Sequence, residues 1–135
     1  MEEYDIKKGY YYSKGDTWVH KEVDGAIRFG ISDYAQKKLK SIIYLNLPEV
    51  GDSFQQDDSL GEVESKKSLS ELICPVSGTV KTIHQEAVDE PGVLNRDPFG
   101  EGWILTLNCD CYQEDIKKLM DAAAYYDYIA SREKK

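Results

Sequence analysis

Positive charge is what this chain has too little of: 17 Lys and Arg stand against 25 Asp and Glu, a net charge of -8 over 135 residues. A surface of that sign repels a phosphate backbone, so nucleic-acid binding is excluded and basic protein partners are favoured. Long apolar runs are also missing. The longest run of large apolar residues, Ile42-Ile43-Tyr44-Leu45, falls far short of the ~20 residues a membrane helix needs. Met1-Glu2-Glu3-Tyr4-Asp5 has neither the basic start nor the apolar stretch of a signal peptide, which gives the expectation of a soluble, cytoplasmic protein with no membrane association. Cysteine is scarce: Cys74, Cys109 and Cys111 are an odd number at no framework spacing, unlike a disulfide-stapled secreted domain. Cys109-x-Cys111 could be half of a thiolate metal site, but His20 and His84 stand at no ligand spacing. The pair therefore reads as structural or surface thiols, and no metal is expected. The two histidines also lack a nucleophile pattern, so Ser-His or Cys-His catalysis has no support.

With 41% hydrophobic residues the chain can bury a core, and its length suits one domain over residues 1–135. From Thr17 to Ile31 the residues alternate around Asp24-Gly25, a hairpin signal. Ser32-Asp33 offers an N-cap for a short helix to Lys40, with lysines toward the end that suits the helix dipole. Ser41 to Leu47 reads as a buried strand stopped by Pro48. The middle third is a series of short strands broken at Gly51-Asp52, Asp57-Asp58, Gly61, Pro75 and Gly78, the spacing of an all-β sandwich or flattened barrel. Gly92 to Gly102 reads as a loop that opens into a strand from Trp103 to Leu107. Beyond Cys111 the period becomes helical, with two C-terminal helices at about 113–130 and a fraying polar tail from Ser131. Tyr10-Tyr11-Tyr12 and Tyr125-Tyr126-Tyr128 read as packing and edge residues.

The segment from Gly61 to Gly78 is the most informative. Two apolar strands flank the polar stretch Ser65-Lys66-Lys67-Ser68, so an ammonium group must project from a hairpin tip where a modifying enzyme can reach it. Adjacent tip residues point in different directions, so only one of the two lysines can suit such an enzyme. Exposure alone is a weak signal, because most turn lysines are simply solvated.

The sequence here resembles the glycine cleavage H-protein family, whose modification site reads Glu-Ser-Val-Lys-Ala-x-Ser-Asp/Glu-Leu and then Ser-Pro-Val-Ser-Gly. Glu64-Ser65-Lys66-Lys67-Ser68-Leu69-Ser70-Glu71-Leu72-Ile73-Cys74-Pro75-Val76-Ser77-Gly78 matches it without a gap and sets Lys67 on the lipoyl lysine. Gly30-Ile31-Ser32-Asp33-Tyr34-Ala35-Gln36, Leu47-Pro48-Glu49-Val50-Gly51-Asp52 and Asn95-Arg96-Asp97-Pro98-Phe99-Gly100-Glu101-Gly102-Trp103 resemble three further family blocks, so the likeness runs from Tyr12 to about Tyr128.

The resemblance implies a mainly β, lipoyl/biotinyl-type flattened barrel-sandwich hybrid: a β body at about 17–107, one short internal helix, and two C-terminal helices. Trp18, Val19, Ile31, Ile43, Leu45, Val63, Val76, Val80 and Leu105 are the expected interior. It implies a non-catalytic carrier with lipoate covalently attached to Lys67 (N6-lipoyllysine), and Glu64 and Gly78 as the residues read by the lipoylating enzyme. The other implied partners are a pyridoxal-phosphate glycine decarboxylase (P protein), a folate-dependent aminomethyltransferase (T protein) and dihydrolipoyl dehydrogenase (L protein), between which the aminomethyl group of glycine is carried. An arm of roughly ten bonds reaches on the order of 10 to 14 Å. One departure concerns the cargo cleft, placed at Asp16 and Thr17: the family has an acid where this chain has Thr17, and a neutral hydroxyl holds a charged amine more weakly. The alternatives are an H-like lipoyl protein serving sulfur metabolism or a lipoate relay, and an unmodified interaction module. An enzyme using Lys67 as a Schiff-base amine is disfavoured because the tip is polar.

Overall fold

The computed structural model describes residues 3–134. Its strands are β1 (Tyr11–Tyr12), β2 (Thr17–Lys21), β3 (Ile27–Ile31), β4 (Ile42–Asn46), β5 (Ser53–Phe54), β6 (Ser59–Ser65), β7 (Leu69–Ile73), β8 (Gly78–Ile83) and β9 (Leu105–Asn108). They form a six-stranded antiparallel sheet ordered β1-β2-β3-β9-β8-β5 and a three-stranded antiparallel sheet ordered β4-β6-β7. Helices α1 (Asp33–Leu39), α2 (Gln85–Asp89), α3 (Val93–Arg96), α4 (Tyr112–Asp115) and α5 (Ala122–Glu133) join or cover them, and a 3₁₀ turn at Ile116–Lys118 follows α4.

Alternation creates the core between the sheets. Val19, Phe29 and Leu105 pair across β2, β3 and β9 in one inward row, and pack with Leu45, Val63 and Leu72 of the small sheet. Each such burial stabilises the fold by about 1.5–3 kcal/mol. Trp18, pointing the opposite way from Val19, is equally buried. It lies in a second cluster with Tyr12, Tyr34, Phe99, Tyr125 and Ile129, where α5 covers the outside of the large sheet. The Tyr12 and Tyr125 rings stack with centroids 4.3 Å apart. Reciprocal backbone bonds between Tyr12 and Met120, 2.8 and 2.9 Å, fix the entry to α5, and the Asp121 side chain caps it by accepting from the Ala124 N–H.

The expected hairpin and the Ser32 cap of α1 are present, the latter through a 3.1 Å bond from the Ala35 N–H. Eight of the nine expected interior residues are buried. Ile43 is 47% exposed, because a β-bulge between Ile42 and Tyr44 inserts an extra residue and turns Ile43 and Tyr44 outward. The β body is also longer than expected, starting with β1 at Tyr11 and ending at Asn108. β9 starts at Leu105 instead of Trp103, although the Ile104 N–H still donates to the Phe29 carbonyl at 2.8 Å.

Two further internal helices, α2 and α3, replace the expectation of a single one. Both are too short to carry a helical period, and α3 is held by tertiary bonds. Asn95 donates to the Lys40 carbonyl at 2.7 Å and to Gln36 Oε1 at 3.0 Å, and accepts from the Ile42 N–H at 3.0 Å. The C-terminal segment also departs from a fraying tail, since α5 continues to Glu133. Arg132 pairs with Asp16 at 2.8 Å, and Glu133 accepts from the Tyr4 hydroxyl at 2.6 Å.

Trp18 sits opposite Gly30, and a Cβ on Gly30 would come within 2.6 Å of the indole ring. Gly30→Ala should therefore cost about 1–3 kcal/mol. In urea unfolding the midpoint should fall with the slope unchanged; an unchanged midpoint would show that the ring can move aside.

Candidate functional site

The hairpin of β6 and β7 pairs Glu64 with Leu69 and leaves Ser65-Lys66-Lys67-Ser68 as its turn. The Ser65 N–H donates to the Ser68 carbonyl at 2.8 Å, closing the turn. Ser65 is buried, and its Oγ accepts from the N–H groups of Lys67 at 3.3 Å and Ser68 at 3.1 Å. The Lys66 N–H donates to the Ser41 carbonyl at 3.0 Å, tying that residue to the chain entering β4. The backbone is thus fixed by its own serine while both lysine side chains stay exposed. Neither lysine forms an ion pair among the described residues. An exposed primary amine on a braced turn suits acylation and a tethered group.

Glu64 lies between Tyr44 and Leu69 in one row across the small sheet, and directly opposed residues share a face. Tyr44 is 56% exposed and Leu69 60%, so Glu64 is flanked by apolar surface beside the tip. The next row on the same face is Asn46, Glu62 and Glu71. Sequence reasoning missed Tyr44 and Leu69 because the row exists only through strand register, and the bulge that turns Tyr44 outward has no signature in the residues themselves.

Gly78 is not part of this hairpin. It begins β8, opposite Phe54 in the large sheet, and a Cβ there would lie 2.6 Å from the Asn108 carbonyl oxygen. Backbone proximity between β8 and β9 thus requires glycine at this position.

Asp16 and Thr17 sit at the base of the hairpin. Thr17 is 1% exposed and its hydroxyl donates to the Ile73 carbonyl at 2.7 Å, so the hydroxyl contact between Ser13 and Thr17, 2.6 Å, is donated by Ser13. Thr17 therefore fastens the last residue of β7 to the large sheet. Asp16 has φ 65° and turns its carboxylate toward α5. There Oδ1 accepts from Arg132 at 2.8 Å and from the Tyr125 hydroxyl at 2.9 Å. Because that hydroxyl donates to a carboxylate, the 2.7 Å contact with Ser32 is donated by Ser32. Burial, then the charge of Asp16, pushes the Tyr125 phenol far up, keeping it a donor.

All three cysteines have their thiol pKa raised. Burial pushes the Cys74 thiol up to about 12 and that of Cys109 up to about 11, and a hydrogen bond to Asp115 raises Cys111.

The family model described as "Glycine cleavage H-protein" matches residues 10–132. The probable glycine cleavage system H protein of Pyrococcus furiosus is 46% identical over 127 residues, covering 94% of each chain. The glycine cleavage system H protein of an Anaeromyxobacter species is 37% identical over 129 residues, covering 96% of this chain and 99% of its own. A crystal structure of the glycine cleavage system H protein from Mycobacterium marinum superposes with a TM-score of 0.84 at 30% identity, covering 93% of this chain and 99% of that one.

Asp16→Asn and Arg132→Met should each lower stability by about 1–3 kcal/mol, and the double variant by clearly less than the sum, because both remove one charge-assisted contact. Thermal unfolding of all four proteins tests this; additive losses would mean the pair is not coupled.

Proposed function

The chain belongs to the glycine cleavage H-protein family, and on that premise we propose that Lys67 is the residue bearing its lipoyl group and that Glu64, with Tyr44 and Leu69 beside it, is the surface the lipoylating enzyme reads. Members of this family carry a covalently attached lipoyl group and are non-catalytic carriers in the glycine cleavage system, whose P, T and L proteins are the partners that membership implies. The bound group supplies the disulfide chemistry and the point of attachment for the carried fragment.

The observation that carries the assignment to Lys67 is the way the turn is built. The Lys66 N–H is bound to the Ser41 carbonyl, whereas the Lys67 N–H donates to Ser65 Oγ within the turn, and both side chains are exposed. The likeness to the family's modification site, with Lys67 three residues after Glu64, supports this reading. Gly78, eleven residues further on, lets β8 lie close against β9 within the large sheet.

Asp16 and Thr17 form the wall at the hairpin base. From Leu69 to Ile73 the strand rises about 13 Å, comparable with the reach of a lipoyl-lysine arm, so the wall lies within range of the tip. Thr17 acts there through the Ile73 carbonyl, and the charge of Asp16 is engaged by Arg132. An amine cargo therefore meets weaker electrostatic holding here than beside an unpaired carboxylate. A cytoplasmic location without nucleic-acid or membrane partners goes with this reading. It is supported by the charge of -8. Among the described residues no helix is long and apolar enough to cross a membrane.

Supplied with lipoate and a lipoylating enzyme, the chain should gain one lipoyl group by intact mass, located on Lys67 by peptide mapping. Lys67→Ala should abolish it, Lys66→Ala should leave it, and Glu64→Ala should slow it without loss of fold. An adduct on Lys66 would overturn the assignment.

Thr17→Glu should fail to improve cargo retention and should instead cost about 3 kcal/mol or more, since it buries a carboxylate with no cation against it. Its melting temperature beside that of the parent is the readout, and an unchanged value would mean that the wall opens to solvent.

A further inference from the structure

The strand β9 exit and the first turn of α4 bring together two thiols and a carboxylate that the carrier function does not use. The donor atoms of Cys109, Cys111 and Asp115 all lie within 4.8 Å of one another. Tetrahedral zinc with Zn–S near 2.3 Å and Zn–O near 2.1 Å sets its ligand atoms about 3.6–3.8 Å apart. Closing the triangle therefore shortens each separation by about 1.2 Å or less. We propose that Cys109, Cys111 and Asp115 form a binding site for a thiophilic divalent cation such as zinc, three protein ligands with a fourth position open to water.

The carboxylate is held in place before any ion arrives. Asp115 Oδ2 accepts from the Ser77 N–H at 2.7 Å, and the Asp115 carbonyl accepts from the Gln56 amide at 2.9 Å, which also donates to the Pro75 carbonyl at 2.8 Å. A ligand oriented by such outer hydrogen bonds loses little freedom when it binds metal. Cys109 is half-buried and packs against the core, whereas Cys111 is exposed at the N-cap of α4 and its thiol already donates to Asp115 Oδ2 at 3.4 Å. A cleft of about 250 Å³ lined by residues including Ser77, Asn108, Asp110 and Cys111 opens beside the triad and admits the fourth ligand. On binding, two S–H bonds break, their protons pass to solvent, and two Zn–S bonds and one Zn–O bond form. The carboxylate enters already ionised, and no electron is transferred. The sequence showed only the Cys-x-Cys half; the third ligand comes from the turn that follows.

His84, Glu86 and Glu101 also converge within 4.8 Å, with the imidazole stacked on Trp103 and bonded through Nδ1 to the Trp103 carbonyl at 2.7 Å. That set has no thiolate and is the harder of the two, so zinc should choose the cysteines.

The test uses the full-length, unlipoylated chain kept reduced, so that no thiols of an attached arm contribute and the outcome is independent of the assignment of Lys67. Titration with Zn²⁺ against a chromophoric chelator should give one equivalent bound, and Co²⁺ should show thiolate charge-transfer bands with tetrahedral visible bands. Cys109→Ser and Cys111→Ser should each weaken Zn²⁺ binding at least about tenfold and remove thiolate bands. Asp115→Asn, which keeps an acceptor for Ser77, should weaken it about tenfold with the circular dichroism unchanged. No zinc uptake, uptake indifferent to both cysteine variants, or uptake lost instead in Glu86→Gln or Glu101→Gln would overturn the proposal.

Discussion

From Thr17 to Val19, strand β2 has no side facing water, and most of the architecture follows from that constraint. Val19 demands a sheet partner and finds the β4-β6-β7 sheet; Trp18, pointing the other way, demands a second cover and finds Tyr12, Phe99 and α5. A helix recruited to cover an indole must be fixed at both ends. Its start is held by the Tyr12–Met120 bridge, and its last turn by Arg132 on Asp16. The Asp16 carboxylate thus joins the turn before β2 to the far end of the chain. Arg132 lies over the faces of Tyr34 and Tyr128 as well, at 4.8 and 4.9 Å, which spreads the same anchor over two aromatic neighbours.

The same strand reaches the lysine tip through Thr17. Its hydroxyl, closed between Ser13 and the Ile73 carbonyl, connects the end of β7 to the large sheet. The hairpin is thereby braced at its foot by Thr17 and at its head by Ser65. A carrier needs this division: rigid where partners recognise it, with freedom left to the side chain that bears the group. The acidic outer face of the small sheet, with Glu62, Glu64 and Glu71, adds long-range attraction for basic partners without changing the fold.

What could be read from the residues was what local chemistry determines. The Asp24-Gly25 hairpin, the Ser32 cap, the buried side of β2 and the tip lysines all depend on neighbours in sequence, and all are present. Ile43 was misplaced because one extra residue in β4 turns it outward, and nothing in Ile42-Ile43-Tyr44 marks the bulge. α3 was missed because its four residues are held by Asn95, whose partners lie more than fifty residues away. At the site, the exposed hairpin-tip lysines were legible from the polar stretch between two apolar strands, whereas the engagement of Asp16 by Arg132, 116 residues distant, was not. Long-range polar contacts of this kind leave no periodic trace.

The cover over Trp18 has a consequence for the chain while it is being made. About a hundred residues separate β2 from α5, and synthesis proceeds at ~5–20 residues per second, so the indole and the Tyr12 ring wait roughly 5 to 20 s for their lid. During that interval the outer aromatic face of β2 stays bare on the nascent chain. Closure of that face must wait until α5 has been made. A chain lacking α5 would leave Trp18 and Tyr12 uncovered as an aromatic patch, the kind of surface on which chaperones and proteases act.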